Sequence, residues 1–162
     1  MRDGDAVSCE LLDRCLAVGR ALLERADDWL EFRGAGGASR VKEGALPVEL
    51  SAADIRWSTD LPGRGLSGVL VVGDRAFVTT SDGPTQDRLH LVCLSTETGK
   101  ILWDRQVWAT GRTMCHPKTS VAAPTPCSDG ERVYAIFSSN DVVCYDLDGN
   151  LLHLIQRAHP LP

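Results

Sequence analysis

Cys93-Leu94-Ser95-Thr96-Glu97-Thr98-Gly99-Lys100-Ile101-Leu102-Trp103 is the stretch whose reading decides the fold. An apolar strand end, a polar turn closed by Thr-Gly, and a second strand carrying a Trp follow one another within it. The stretch closes a longer unit. Gly73-Asp74-Arg75-Ala76-Phe77-Val78 comes first, then Leu91-Val92-Cys93-Leu94, then Thr98-Gly99-Lys100-Ile101-Leu102-Trp103. The unit returns as Gly130-Glu131-Arg132-Val133-Tyr134-Ala135, Val142-Val143-Cys144-Tyr145 and Asp148-Gly149-Asn150-Leu151-Leu152-His153. A fragment of it stands upstream as Ile55-Arg56-Trp57. Positions 57, 103 and 153 are 46 and 50 residues apart. Repeats of that period, built from short alternating strands, mark the blades of a propeller.

Strand signals fall at 68–72, 75–80, 89–94 and 100–107, and again at 121–127, 132–138, 141–146 and 150–156. Turn residues separate them: Gly73-Asp74, Asp82-Gly83-Pro84, Thr98-Gly99, Asp129-Gly130 and Asp148-Gly149. Gly and Asp tolerate the positive φ that tight hairpins require. The expected fold is all-β: an incomplete β-propeller of two four-stranded antiparallel blades, 68–107 and 121–156, within residues 67–162. Ile55, Trp57 and Thr59 alternate with polar residues. Residues 27–66 therefore read as a connector containing one outermost, closing strand. Residues 1–26 read as an N-terminal amphipathic helix spanning 6–26. Val7, Leu11, Cys15, Val18 and Leu22 recur every three or four positions there, and Ser8 is placed to cap it. The expected role of its apolar stripe is packing on its own domain.

Composition narrows the function classes. The chain has 162 residues, 22 acidic and 17 basic, for a net charge of −5. No basic cluster stands out, which argues against nucleic acid as partner. No apolar run reaches the roughly 20 residues of a membrane helix. The acidic start Met1-Arg2-Asp3-Gly4-Asp5 does not read as a secretory signal. Six cysteines stand singly, with no CxxC, so neither a zinc ribbon nor a thioredoxin-like motif is indicated. Cys93 and Cys144, at matching repeat positions, read as small buried apolar side chains. Gly34-Ala35-Gly36-Gly37 fits neither GxxxxGK[ST] nor GxGxxG.

The stretch from Cys93 to Trp103, with its Thr98-Gly99-Lys100 and following Trp, resembles the repeat of the pyrroloquinoline-quinone-like (PQQ-like, quinoprotein-type) β-propellers. Three further stretches resemble one group of that family, the stand-alone exported propellers of planctomycete-like bacteria. They are Asp28-Trp29-Leu30-Glu31-Phe32-Arg33-Gly34; Ile55-Arg56-Trp57 with Leu61-Pro62-Gly63-Arg64-Gly65; and His116-Pro117-Lys118-Thr119-Ser120 with Ala123-Pro124-Thr125-Pro126. The resemblance covers roughly residues 27 to 156. It implies that Trp57 and Trp103 are structural residues between blades, and that members are usually exported to the periplasm or cell envelope. It also implies more blades than this chain can hold, so the chain reads as a fragment. The quinone-dependent dehydrogenases of the family use adjacent cysteines, a stacking Trp and a calcium site. This chain has no adjacent cysteine pair, so no cofactor, metal or catalytic residue is assigned.

Cys115-His116, with Lys118 and Cys127 nearby, is the nearest approach to a reactive group. Adjacent side chains point apart in extended chain, and no third ligand stands at a metal-binding spacing. The resemblance places this loop near the propeller axis, where His116, Lys118 and Ser120 are the candidate binding residues. Trp29, Phe32 and Arg33 read as an anchor for the N-terminal segment, and Trp108 as a cover for a blade edge. The functional expectation is a non-catalytic repeat module for protein interaction or assembly, with a protein partner or self-association through open blade faces. The alternative is the N-terminal part of a quinoprotein-type oxidoreductase whose cofactor residues lie in other blades.

Overall fold

The structure, a computed structural model, describes residues 28–40, 49 and 51–156. The helix expected over 6–26 lies outside the described residues. Eight strands form two sheets. The first contains β1 (Leu70–Val72), β2 (Arg75–Asp82), β3 (Arg88–Ser95) and β4 (Ile101–Trp108), in spatial order β1-β2-β3-β4. The second contains β5 (Cys127–Ser128), β6 (Arg132–Ile136), β7 (Val142–Asp146) and β8 (Leu151–Ile155), in order β5-β6-β7-β8. Every neighbouring pair is antiparallel, so each sheet is a simple meander. This is the incomplete propeller that the repeat predicts.

Burial follows position in the sheet. The interiors of β2 and β3 are buried on both faces, whereas β4 alternates and β8 is largely exposed. The outermost strands are therefore β4 and β8. One strand departs from expectation: 121–127 shortens to Cys127–Ser128. Val121 and Ala122 are fully buried, which explains their strand-like apolarity. Pro124 and Pro126 carry no N–H to donate to a ladder, so the run packs on the core as a connection instead. Residues 55–60 pair with no strand.

The main core lies between the two sheets. Phe77, Leu89, Leu91, Cys93 and Trp103 of the first sheet meet Val133, Ala135, Val143 and Tyr145 of the second, with Phe137 just beyond β6. Register explains the choice of face. Leu70, Phe77, Cys93 and Trp103 are successive cross-strand partners and so form one row. A bulge at Cys93/Leu94 inserts Leu102 and brings Trp103 opposite Cys93. The second sheet repeats the bulge at Cys144/Tyr145 and aligns Cys127, Tyr134, Cys144 and His153 in the equivalent row.

Trp103 fastens sheet to sheet. It is 9% exposed, and its ring lies 5.7 Å from Phe77 and 6.1 Å from Tyr145, both tilted. Its indole N–H donates to the Leu147 carbonyl at 3.0 Å. Two residues on, Arg105 Nε donates to the Gly149 carbonyl at 2.6 Å. A Cβ at Gly149 would lie 2.9 Å from the Trp103 ring, and φ there is 81°. Only glycine meets both demands.

Trp57 repeats this clasp on the far side of the first sheet. Its indole N–H donates to the Thr96 carbonyl at 2.9 Å, and Thr59 donates to the Gly99 carbonyl at 2.6 Å. A Cβ at Gly99 would lie 2.5 Å from the Trp57 ring, and φ is 70°. Thr96 and Leu147 each follow the last residue of a third strand, so the two clasps are the same device one repeat apart.

The segment 28–30 closes the inner side. Trp29 and Val71 exchange backbone hydrogen bonds at 2.9 Å, and the Leu30 carbonyl accepts from Ser128 N–H at 2.9 Å. It thus spans the free edges of β1 and β5, with Leu30 buried in the core. Phe32 and Trp108 are exposed, at 65% and 59%. The anchor is therefore Trp29 with Leu30, without Phe32.

Trp103→Ala is expected to lower unfolding free energy by about 3–5 kcal/mol, as for a large aromatic removed from a packed core. Trp57→Ala should do less, because Trp57 is only half-buried. Gly149→Ala should destabilise by about 1–2 kcal/mol through its left-handed backbone alone. Urea unfolding followed by tryptophan fluorescence and circular dichroism measures all three. A Trp103→Ala loss below about 1 kcal/mol would show that the clasp does not hold the sheets together.

Candidate functional site

Chemically versatile side chains gather at the sheet end where β2 finishes and β3 begins. The long connection from β4 to β5 returns there. Ser81, the penultimate residue of β2, and Ser120 share a hydrogen bond at 2.9 Å. Ser120 Oγ also donates to the Arg64 carbonyl at 3.0 Å and accepts from Ala122 N–H at 3.1 Å. Gln86 Oε1 lies 3.1 Å from Ser81 Oγ and accepts from Val121 N–H at 3.3 Å, while its amide faces Cys115 Sγ at 3.4 Å. The result is a buried polar lock that pins three loops: 63–66, 83–87 and 111–122.

The three candidate binding residues separate into two kinds. Ser120 is 1% exposed, and its hydroxyl has no capacity left for a ligand. His116 and Lys118 are exposed on the turn just before it. His116 Nδ1 accepts from the Lys118 backbone N–H at 3.1 Å, so the neutral ring carries its proton on Nε2. Cys115 turns to Gln86 and to the Thr119 carbonyl, as expected of alternating side chains.

Two polar constellations went unsingled by sequence reasoning. His90 is 5% exposed, with Nδ1 3.0 Å from Asp104 Oδ1 and Nε2 3.2 Å from Asp82 Oδ1. Asp82 also pairs with Arg88 at 2.7 Å. Asp141 is fully buried and accepts from Thr110 Oγ1 and Ser139 Oγ at 2.6 Å each, and from Gln156 at 3.3 Å. It ties the end of β8 to the connection between sheets. His90 with Asp104 and Asp141 with Thr110 and Gln156 join positions 14 to 31 apart, which no local motif signals. In both, the protein's own groups occupy the polar atoms, which is structural work rather than a vacancy for substrate. Among the described residues, no group of three His, Cys, Asp or Glu could hold a metal ion. None of their helices is long and apolar enough to cross a membrane.

Residues 40–157, well over half the chain, match the family model described as outer membrane protein assembly factor BamB, a PQQ-like repeat family. Among solved structures, a europium-containing methanol dehydrogenase matches with a TM-score of 0.40 and 23% identity. The match covers 54% of this chain and 14% of that one, so the chain spans a small part of that enzyme's length. No curated protein matches.

Burial pushes the Cys93 thiol from an ordinary 9.0 up to about 12. Burial likewise raises the Tyr134 hydroxyl from 10.0 to about 12. Both groups keep their protons in the folded chain after the unfolded chain has begun to release them. Their contribution to stability is thus whole below pH 9 and is lost as pH rises toward 12. Urea midpoints should fall over that window, and Cys93→Val should remove the part that begins near 9. A midpoint that stays flat to pH 11 would contradict this, since both unfolded groups ionise below it.

Proposed function

The chain belongs to the PQQ-like repeat family described as outer membrane protein assembly factor BamB, and we propose that it serves as a non-catalytic propeller-repeat module for protein interaction or assembly. One observation carries this reading. The row Leu70, Phe77, Cys93 and Trp103 of the first sheet is covered by the second sheet. On the other side of the second sheet, Tyr134 and Cys144 are buried, but Ile136 and His153 stay exposed and no third sheet lies among the described residues. The two ends of the stack differ. Trp57 already clasps the outer turn of the first sheet, whereas on the second sheet Ile136, His153 and the outermost strand β8 are exposed beside a buried Tyr134 and Cys144.

The exposed part of that face, Ile136 with His153 and β8, suits another sheet of the same kind. Tyr134, Val142 and Cys144 form an apolar group, and Ile136 beside them is 40% exposed. His153 stands where Trp103 stands one repeat earlier, and Ile155 stands where Arg105 donates to a glycine carbonyl. This end can therefore pack apolar surface but has lost one donor of the clasp. Sheet faces and strand edges left in this condition drive association.

The purified chain is expected to self-associate as concentration rises, or to become monomeric only with a partner bound. Ile136→Glu should weaken that association without changing the circular dichroism spectrum. Sedimentation velocity reads both. A wild-type chain that stays monomeric at every accessible concentration, and binds no partner through this face, would overturn the proposal. Titration with pyrroloquinoline quinone and calcium should give no saturable absorbance change. A one-to-one signal would favour the oxidoreductase alternative.

A further inference from the structure

The two ends of the sheets carry opposite charge. One end holds the β1–β2, β3–β4, β5–β6 and β7–β8 turns. Its exposed acids are Asp74, Glu97, Asp129, Glu131 and Asp148. Among the described residues there, Arg75 is drawn onto Asp148 at 2.8 Å, and Lys100 is the exposed cation. The other end holds the polar lock. Its carboxylates are differently placed, and Asp104, farther along β4, is held by His90. Asp141 is fully buried, Asp82 is engaged by Arg88 and His90, and Asp87 is half-buried. The exposed charges at this end are Arg64, Arg112 and Lys118, with His116 among them.

Arg75 and Arg88 pair with carboxylates, and Arg105 with the Gly149 carbonyl. Arg64, Arg112 and Lys118 make no ion pair with any described residue. Sequence segregation matches: in a chain with 22 acidic residues, none falls between Arg105 and Ser128. The backbones that carry the cations are held. The Arg64 carbonyl accepts from Ser120 Oγ, and Lys118 lies just before Ser120. Arg112 sits between Thr110, bonded to Asp141, and Cys115, bonded to Gln86. Apolar surface is interleaved with the charge. Met114, between Arg112 and His116, is 74% exposed, and Trp108 at the start of the loop is 59% exposed.

We propose that this loop end, with Arg64, Arg112 and Lys118 around Met114, is a docking surface for an acidic peptide segment of a protein partner. The proposal rests on the interaction-module reading and adds the chemistry of one partner site. Carboxylates of the segment meet the unpaired cations, and His116 Nε2–H offers a further donor. Met114 and Trp108 accept apolar side chains between them, where a flexible thioether and a broad ring adapt to differing shapes. The mixture favours a peptide over nucleic acid, which needs a longer basic track to follow its phosphates. The acidic opposite end and the net charge of −5 repel a long polyanion.

A labelled peptide of glutamates interspersed with leucines, titrated with the full chain at low salt and read by fluorescence polarisation, tests this. The expected result is saturable binding that weakens with salt. Arg112→Glu and Lys118→Glu should each weaken it by about tenfold, as for charges at the contact. Lys100→Glu makes the same change in net charge at the other end and should leave affinity unchanged. Variants are compared only after their circular dichroism matches wild type, and Met114→Ser supplies a charge-neutral test that should also weaken binding. Failure to bind overturns the proposal. So does an equal loss from Lys100→Glu, or equal binding of the glutamine version of the peptide. Stronger competition by a single-stranded oligonucleotide would make the surface a nucleic-acid site instead. Salt-sensitive self-association abolished by Lys118→Glu would make the occupant the acidic end of a second copy. Either result refutes the peptide assignment while leaving association through the Ile136 face as a separate question.

Discussion

An indole laid across a glycine, with its N–H on the neighbouring sheet's carbonyl, is the contact on which the rest of this structure depends. A four-stranded meander cannot bury both faces by itself. The inner strands β2 and β3 are buried on both sides, so something must cover each side. Trp103 does this between the sheets by filling volume next to Phe77 and Tyr145 and by satisfying the Leu147 carbonyl. The contact has three local requirements: a bulge to turn the Trp to the right face, a left-handed glycine beneath it, and a donor two residues on. Residues 57–59 meet the last two without forming a strand. Trp57 and Thr59 engage Gly99 and Thr96 through side chains, so the clasp does not require a ladder behind it.

The same economy explains why polar clusters here read as structure. Ser81, Ser120 and Gln86 saturate one another and the loop backbones around them. Asp141 gathers donors from Thr110, Ser139 and Gln156 and so fixes the path between sheets. His90 stands between two carboxylates within the first sheet. In each cluster the protein's own donors and acceptors meet one another, as buried polar groups must. What remains exposed is Ile136 on the second sheet, the outermost strands, and the cationic loop end.

Much of the fold was legible because propeller strands carry their pairing instructions locally. Alternation and Gly-containing turns located β2, β3, β4, β6, β7 and β8 to within a few residues. The misread strand at 121–127 shows the limit. Val121 and Ala122 are apolar because the core surrounds them, and apolarity alone does not separate a ladder from a buried connection. The prolines at 124 and 126 were the available signal against it. The candidate site was legible only in part. His116 and Lys118 are exposed as a binding loop requires, but the hydroxyl of Ser120 is consumed by partners 39 and 56 positions away.

By itself, then, the sequence determined the repeat, the strand order within each sheet, the glycines and tryptophans of the clasp, and the family. These follow from spacing along one chain, because neighbouring strands are neighbours in sequence. Only the tertiary structure decided which residues share a row across strands and which polar groups are consumed. The gathering of exposed acids at one end and of Arg64, Arg112 and Lys118 at the other was likewise its decision. That gathering depends on antiparallel folding, which carries residues far apart in the chain, such as Arg64 and Lys118, to the same end of the sheet.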